Sequence, residues 1–333
     1  MIGQSEYLAA NPEGVWALKA HADFLKLEAA NGKAIQAIYD DAAARLADRI
    51  SKLNVGSMDA TAAKQMKRSI ALASQDIGKG LRAQLIKDTA KAAEAGGAGV
   101  QIPLFEKLTG MDGGGKFTRI GLTNAMATVN RLAVIAQWTR NAGGLMLSDR
   151  IWATAASFRK DLLRLVDFAS ASGIGSRDLA RMVETLAKEG GYQLEAKVVA
   201  DFPNAAKRLG KHFPKNLNWQ ALRLARTELG FAYNTSAVMA GRITPGYIGS
   251  QWLLSNAHPE MDICDDLASA DPYGLGPGCY TRGNEPVFAH PNCLCCLTPI
   301  FMEREEFNSR MSGWIRGKGW SEMDKWYKDV YRP

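Results

Sequence analysis

The chain has 333 residues, a net charge of +7 and 47% hydrophobic side chains, the composition of a globular protein with one large or two ordinary domains. No apolar run reaches the roughly 18 to 20 residues that cross a bilayer, and the first thirty residues carry acidic and polar positions unlike a secretory signal, so folding in a cytoplasm is expected. A reducing compartment and an odd count of five cysteines both disfavour a disulfide framework.

Residues 1–95 read as a helical region. Apolar side chains recur at three- and four-residue spacing through GVWALKAHADFLKLEAANGKAIQAIYDDAAARLADRISKL, with Asn31-Gly32 as a punctuation point. The pattern resumes after Asp59, a natural N-cap, and Gly96-Gly97 predicts a stop. Residues 96–117, with two glycine clusters and a proline, predict a flexible glycine-rich loop or arm. The GGGK at Gly113 to Lys116 lacks both the first glycine and the following Ser/Thr of a phosphate loop, which argues against nucleotide binding.

Residues 118–215 predict a helical hairpin region. Ser148 is placed to cap a helix running to about Ser172, GIG breaks it, and Ser176 with Asp178 opens a second helix carrying Leu179, Met182 and Leu186 on one face. A proline-punctuated basic connector follows. A further helix is expected from about Asn218 to Arg242, on which Arg226 and Glu228 stand two apart, point to different faces and each need a separate partner. In residues 216–300 the texture then shifts to a small α+β module: YIGSQWLLS and CCLTPIF read as strands around a Gly/Pro-rich loop. Residues 301–333 read as a tail of one or two short helices with Trp and Tyr anchors. The fold expected is therefore mainly α, with a helical N-terminal part, a glycine-rich arm, and a small α+β C-terminal module bearing a Cys/His cluster.

That cluster carries the chemistry. All five cysteines lie between Cys264 and Cys296, and AHPNCLCC places His290, Cys293, Cys295 and Cys296 together, with His258 close in sequence. His258, Cys264, His290, Cys293 and Cys295 are donors of the types that make tetrahedral zinc sites. Any four of the five would clip the base of a long irregular loop with one structural zinc per chain. Buried or disulfide-forming thiols are the alternative, and a catalytic metal or Cys/His nucleophile is a third. The Asp262, Asp265, Asp266 group reads as a solvated turn, or else as carboxylates behind a histidine ligand. Charge alternates along the chain: residues 51–150 are basic and 251–300 acidic, a pattern suited to phosphate backbone or an acidic partner but also to a solvated surface.

LARTELGFAYNTSAVMAG, QWLLSNAHPEMDICDDLASADPYGLGPG and HPNCLCCLTP together resemble the C-terminal module of the phage Mu F-like head morphogenesis proteins, also called minor head or minor capsid proteins. The matching positions are Ala225 to Glu228, Asn234, Trp252, Cys264 and His290 to Cys295, and the resemblance makes Arg226, Glu228, Asn234 and Trp252 structural. The chain departs from the family pattern at Leu267, where many members have a second cysteine, and at Leu294, where an arginine is usual.

The resemblance implies a non-enzymatic structural protein of a bacteriophage virion. It would reside in the host cytoplasm during capsid assembly, then in the head in several copies, touching the portal and major capsid proteins and contacting packaged double-stranded DNA. No catalytic residue and no cofactor besides the metal is expected. The rival readings are a metal-dependent nuclease, with His290 and Asn292 in the site, and a DNA-binding accessory protein using the basic 51–150 stretch.

Overall fold

The computed structural model describes residues 14–56, 59–109, 119–203, 216–258 and 260–331. Ten α-helices and one three-stranded sheet are found among them. In chain order these are α1 (Val15–Ser51), α2 (Ala60–Thr109), α3 (Arg119–Thr139), α4 (Leu147–Ala171), α5 (Ser176–Lys188), α6 (Gly191–Asp201), α7 (Trp219–Ile243), β1 (Tyr247–Leu253), α8 (Ile263–Ser269), β2 (Cys279–Thr281), β3 (Cys296–Phe301), α9 (Arg304–Ile315) and α10 (Ser321–Trp326). A single π-helical turn, Tyr327–Tyr331, follows α10. No helix among the described residues is long and apolar enough to cross a membrane.

The chain divides into two compact units that do not follow the sequence blocks. One comprises Met1–Ala29, Lys87–Arg140 and Arg226–Pro333; the other comprises Ala30–Ile86 and Asn141–Ala225. The expected blocks were contiguous because periodicity locates helices, not their partners.

The second unit is all helical. Asp59 caps α2 as expected, its Oδ1 accepting from Ala62 N at 2.7 Å. Ser148 does not cap α4. The helix starts one residue earlier, at Leu147, with Asp149 Oδ2 accepting from Met146 N at 3.0 Å. α5 buries Leu179, Met182, Val183 and Leu186, the one-sided stripe its spacing predicts. Inside this unit Tyr39 meets Phe158 edge-on at 5.7 Å, and Ser74 Oγ donates to Ala155 O at 2.8 Å. Asn31-Gly32 does not interrupt α1: Asn31 is buried, and the bare Gly32 backbone lets Leu222 of α7 approach.

The first unit overturns a second glycine-based expectation. Gly96-Gly97 does not stop α2, which continues through Pro103 to Thr109; the rest of the expected loop, including Gly113 to Lys116, lies outside the described residues. These glycines are contact points. A Cβ on Gly96 would run into the Tyr233 carbonyl of α7, one on Gly97 would lie 2.6 Å from Asn130 Oδ1 of α3, and one on Gly99 would lie 3.2 Å from Ala17 Cα of α1. Glycine thus lets three helices press against α2, which offsets its poor helix propensity. Gln101 of α2 donates to Ala240 O (3.1 Å) and Thr244 Oγ1 (2.6 Å).

The sheet has the order β2-β1-β3 with both pairs antiparallel, and Trp252 faces Leu297 while Leu253 faces Cys296. The two long strands are the two read from sequence. The tail forms an aromatic cluster of Phe307, Met311, Trp320, Met323, Trp326 and Tyr331 on Leu104 and Leu108 of α2.

Candidate metal centre

Between β1 and β3 the chain makes a long excursion whose two ends return to one place. On the outgoing side, β1 leads to His258, whose N–H donates to Ser255 O at 2.9 Å. Asp262 then caps α8: its Oδ1 accepts from Cys264 N at 2.7 Å while Asp265 Oδ2 accepts from Asp262 N at 2.8 Å. This reciprocal pair fixes Cys264, which is fully buried. On the returning side, His290 to Cys295 turn into β3, with Asn292 at φ 72°, a left-handed conformation that asparagine tolerates better than most residues.

The returning segment is held by its backbone, group by group. Thr227 Oγ1 accepts from Asn292 N at 2.9 Å, and Gly230 leaves room for Cys293 O, 3.3 Å from where a Cβ would stand. Asn234 Oδ1 accepts from Leu297 N at 3.0 Å, and its Nδ2 donates a longer bond to Cys295 O at 3.4 Å. Thr227, Gly230 and Asn234 are three and four apart, so one face of α7 presents all three. From α1, His21 Nε2 donates to Leu294 O at 2.9 Å. His21 is buried, and that burial lowers its pKa, keeping the imidazole neutral.

α7 is itself clamped on both sides, as the two-apart spacing of Arg226 and Glu228 demands. Arg226 Nε meets Glu28 Oε1 of α1 at 2.6 Å, and Glu228 Oε1 takes Arg140 NH2 at 2.6 Å. Glu228 is wholly buried, and the Arg140 guanidinium lies over the rings of Phe231 (4.5 Å) and Phe288 (5.0 Å). Trp252, 1% exposed, packs in one core cluster with Cys264, Cys295 and Leu297.

All five expected donors come together. They fall into two triangles that share Cys264: His258, Cys264 and Cys295 on one side, Cys264, His290 and Cys293 on the other, with the ligand atoms of each triangle within 4.8 Å of one another. Cys264 Sγ stands 3.4 Å from Cys293 Sγ and 3.2 Å from His290 Nε2, and Cys295 Sγ stands 3.9 Å from His258 Nδ1. Tetrahedral bonds of about 2.3 Å to sulfur and 2.0 Å to nitrogen imply donor–donor edges of about 3.5 to 3.8 Å. The observed separations bracket that range, so these groups can hold a metal ion.

A carboxylate stands behind His258, so the aspartate group is more than a solvated turn, whereas at His290 the carboxylate faces the same nitrogen that faces Cys264. His258 Nε2 donates to Asp265 Oδ2 at 2.9 Å, the arrangement that orients an imidazole and leaves its other nitrogen free to bind. His290 Nε2 lies 3.1 Å from Asp262 Oδ2, and its Nδ1 donates to Pro291 O at 2.9 Å. The thiols shift as a set. Contacts from Cys264 and then Cys293 pull Cys295 down, while the Cys293 and Cys295 contacts, together with burial, push Cys264 up.

The remaining two cysteines stay apart from the donors. Cys296 is buried in β3, and Cys279 in β2 donates to Pro277 O at 3.6 Å. Sequence reasoning missed His21 and Gly230, and met Thr227 only as part of the Ala225 to Glu228 match, without its role. Thr227 and Gly230 carried a signal, being small or polar at helical spacing from Asn234; His21, 273 residues from its partner, carried none. Among known protein families, curated proteins and solved structures, none matches this chain.

Proposed function

We propose that this protein is a structural minor head protein of a tailed bacteriophage, acting in head assembly near the portal, with one zinc ion holding its C-terminal module folded. The observation that carries the reading is how the residues of the Mu F-like pattern are used. Arg226 and Glu228 clamp α7, Thr227 and Asn234 anchor the ligand turn, Trp252 packs beside the sulfurs, and His290 to Cys295 form the turn itself. Each of these residues builds the fold, which suits an assembly protein. Zinc is the metal of choice because cysteine sulfurs and imidazole nitrogens, the donors of both triangles, are those of its closed, four-coordinate structural sites.

The experiment has two arms. Metal content by mass spectrometry on the purified chain should give about one zinc, and a chelator should open residues 226–333 to protease. Co-expression with the portal and major capsid proteins of the same phage should place the chain in assembled heads, while its deletion should lower the yield of filled heads. Absence from heads sinks the assembly role. Metal-dependent cleavage of plasmid DNA, lost on His290→Ala, would instead establish the nuclease reading.

A further inference from the structure

Charge is divided between the two units. The second holds 22 Lys and Arg against 13 Asp and Glu, the first 19 against 21. In each unit one surface sets exposed apolar side chains among charges of a single sign.

In the second unit that surface is the outer face of α2. Lys64, Arg68, Lys79 and Arg82 are exposed and project from one side of the helix over about 27 Å. None of the four makes an ion pair among the described residues. Leu72, 53% exposed, stands in the same row. Beside the row Trp152 of α4 rests its ring on α2 at Gly78, where a Cβ would lie 2.3 Å from the ring. Trp152 is thus held against bare backbone, yet it is 44% exposed.

In the first unit the surface is the loop between β1 and β2. Between Arg242 and Arg282 the sequence has no Lys or Arg. Met261, Ile263, Tyr273 and Leu275 are exposed within fifteen residues, Met261 at 87%. Glu260, Asp266 and Asp271 are exposed among them. Tyr280 ties the loop into one body: its hydroxyl donates to Leu267 O at 3.0 Å, and its ring meets Tyr273 edge-on at 6.3 Å.

We propose that the α2 row of one copy docks on the β1–β2 loop of a second copy of this chain. A solvated face has no use for an exposed Leu72 and Trp152, and a nucleic-acid backbone would set both against phosphate. A partner both apolar and acidic suits the whole row, and the loop is such a surface. Charges are screened beyond about 8 Å at physiological salt, so the facing patches, not the net +7 of the chain, govern the contact. Because the two surfaces differ, the contact is head-to-tail, and each copy has one surface for each of two neighbours. It stands apart from the phage reading, whose failure would leave both surfaces as they are.

The test is sedimentation velocity of the full chain at rising concentration, in about 50 and about 500 mM salt. Association should appear and weaken at the higher salt; a monomer throughout overturns the proposal. Lys79→Glu with Arg82→Glu reverses the row, and Glu260→Lys with Asp266→Lys reverses the loop. Each pair should weaken association about a hundredfold. An equimolar mixture of the two variants should restore it, since each surface again finds its opposite. A variant that associates like wild type, or a mixture that stays monomeric, overturns the proposal. In case a variant misfolds, wild type gives an independent readout. Unlabelled and heavy-isotope chains, mixed and treated with a carbodiimide, should yield mixed-isotope peptides joining Lys64 or Lys79 to Glu260, Asp266 or Asp271. Such links confined to one isotope would put the contact within a single chain and overturn the proposal. So would a gel shift of short duplex DNA that is lost on reversing the row while wild type stays monomeric, since nucleic acid would then be the occupant.

Discussion

Replacing Asn234 with alanine tests the anchoring of the ligand turn most directly. Asn234 is 4% exposed, and its Oδ1 is the acceptor for the N–H of Leu297, a residue 1% exposed. The alanine variant strands that amide in a site closed to water, a cost of about 1 to 3 kcal/mol. The 3.4 Å bond to Cys295 O is long and adds about 0.5 kcal/mol. A total of about 2 to 3 kcal/mol is a large share of the 5 to 15 kcal/mol that hold an ordinary domain folded.

Because the chain has two units, a single global unfolding curve is a poor assay, and hydrogen exchange read at the Leu297 amide is the better one. Its protection should fall about 30- to 150-fold, at 1.4 kcal/mol per factor of ten. Asn234→Asp keeps the acceptor and should retain more of the Leu297 bond while losing the bond to Cys295 O. An exchange rate within about threefold of wild type in the alanine variant would refute the anchoring argument.

Two further outcomes follow from the packing and the charges. Gly96→Ala should destabilise the chain by about 1 to 3 kcal/mol, seen as a lowered Tm, because the new methyl meets the Tyr233 carbonyl; a neutral or stabilising result would return Gly96 to a loop. Glu285 sets an acid limit. Burial alone would raise its pKa, but hydrogen bonds from Arg242, its own backbone and Tyr247, with the Arg242 charge, hold the carboxyl below the usual 4.5. Its folded pKa is depressed, so its contribution is complete above about pH 4.5 and fades as pH falls toward the lower folded value. Glu285→Gln should therefore be less stable than wild type at pH 7, with the gap closing in acid; denaturant midpoints across pH 3 to 7 check this, and a constant gap counts against it.

The elements that carry their own local signal were legible in the sequence. The α4-turn-α5 hairpin, the two long strands, the short tail helices and the five donors all show in periodicity, turn residues or composition. The separate partners of Arg226 and Glu228 followed from helix geometry alone, although Glu28 and Arg140 did not. Glycine misled twice, at Gly32 and at Gly96-Gly97, because a missing side chain serves a turn and a close helix crossing equally well. Only the partner helix decides which. For the same reason the contiguous 216–300 module expected from sequence is divided: residues 216–225 belong to one unit, and residues 226–300 to the other, which draws on three separate stretches of chain.

That dispersal bears on how the protein is made. His21 leaves the ribosome 273 residues before Leu294, the carbonyl it must find. At about 5 to 20 residues per second, the interval is about 14 to 55 s. For most of it Phe24, whose mature partner is Tyr233 at 4.8 Å, has no late segment to cover it. The first helix is thus synthesised early and completed late, and a fragment starting at residue 216 would lack the strand-end and helix partners supplied by His21, Glu28, Gln101 and Arg140. The Cys/His segment is a finishing stitch between parts of the chain made far apart in time, so the first helix stays incompletely packed until residues 290–297 emerge.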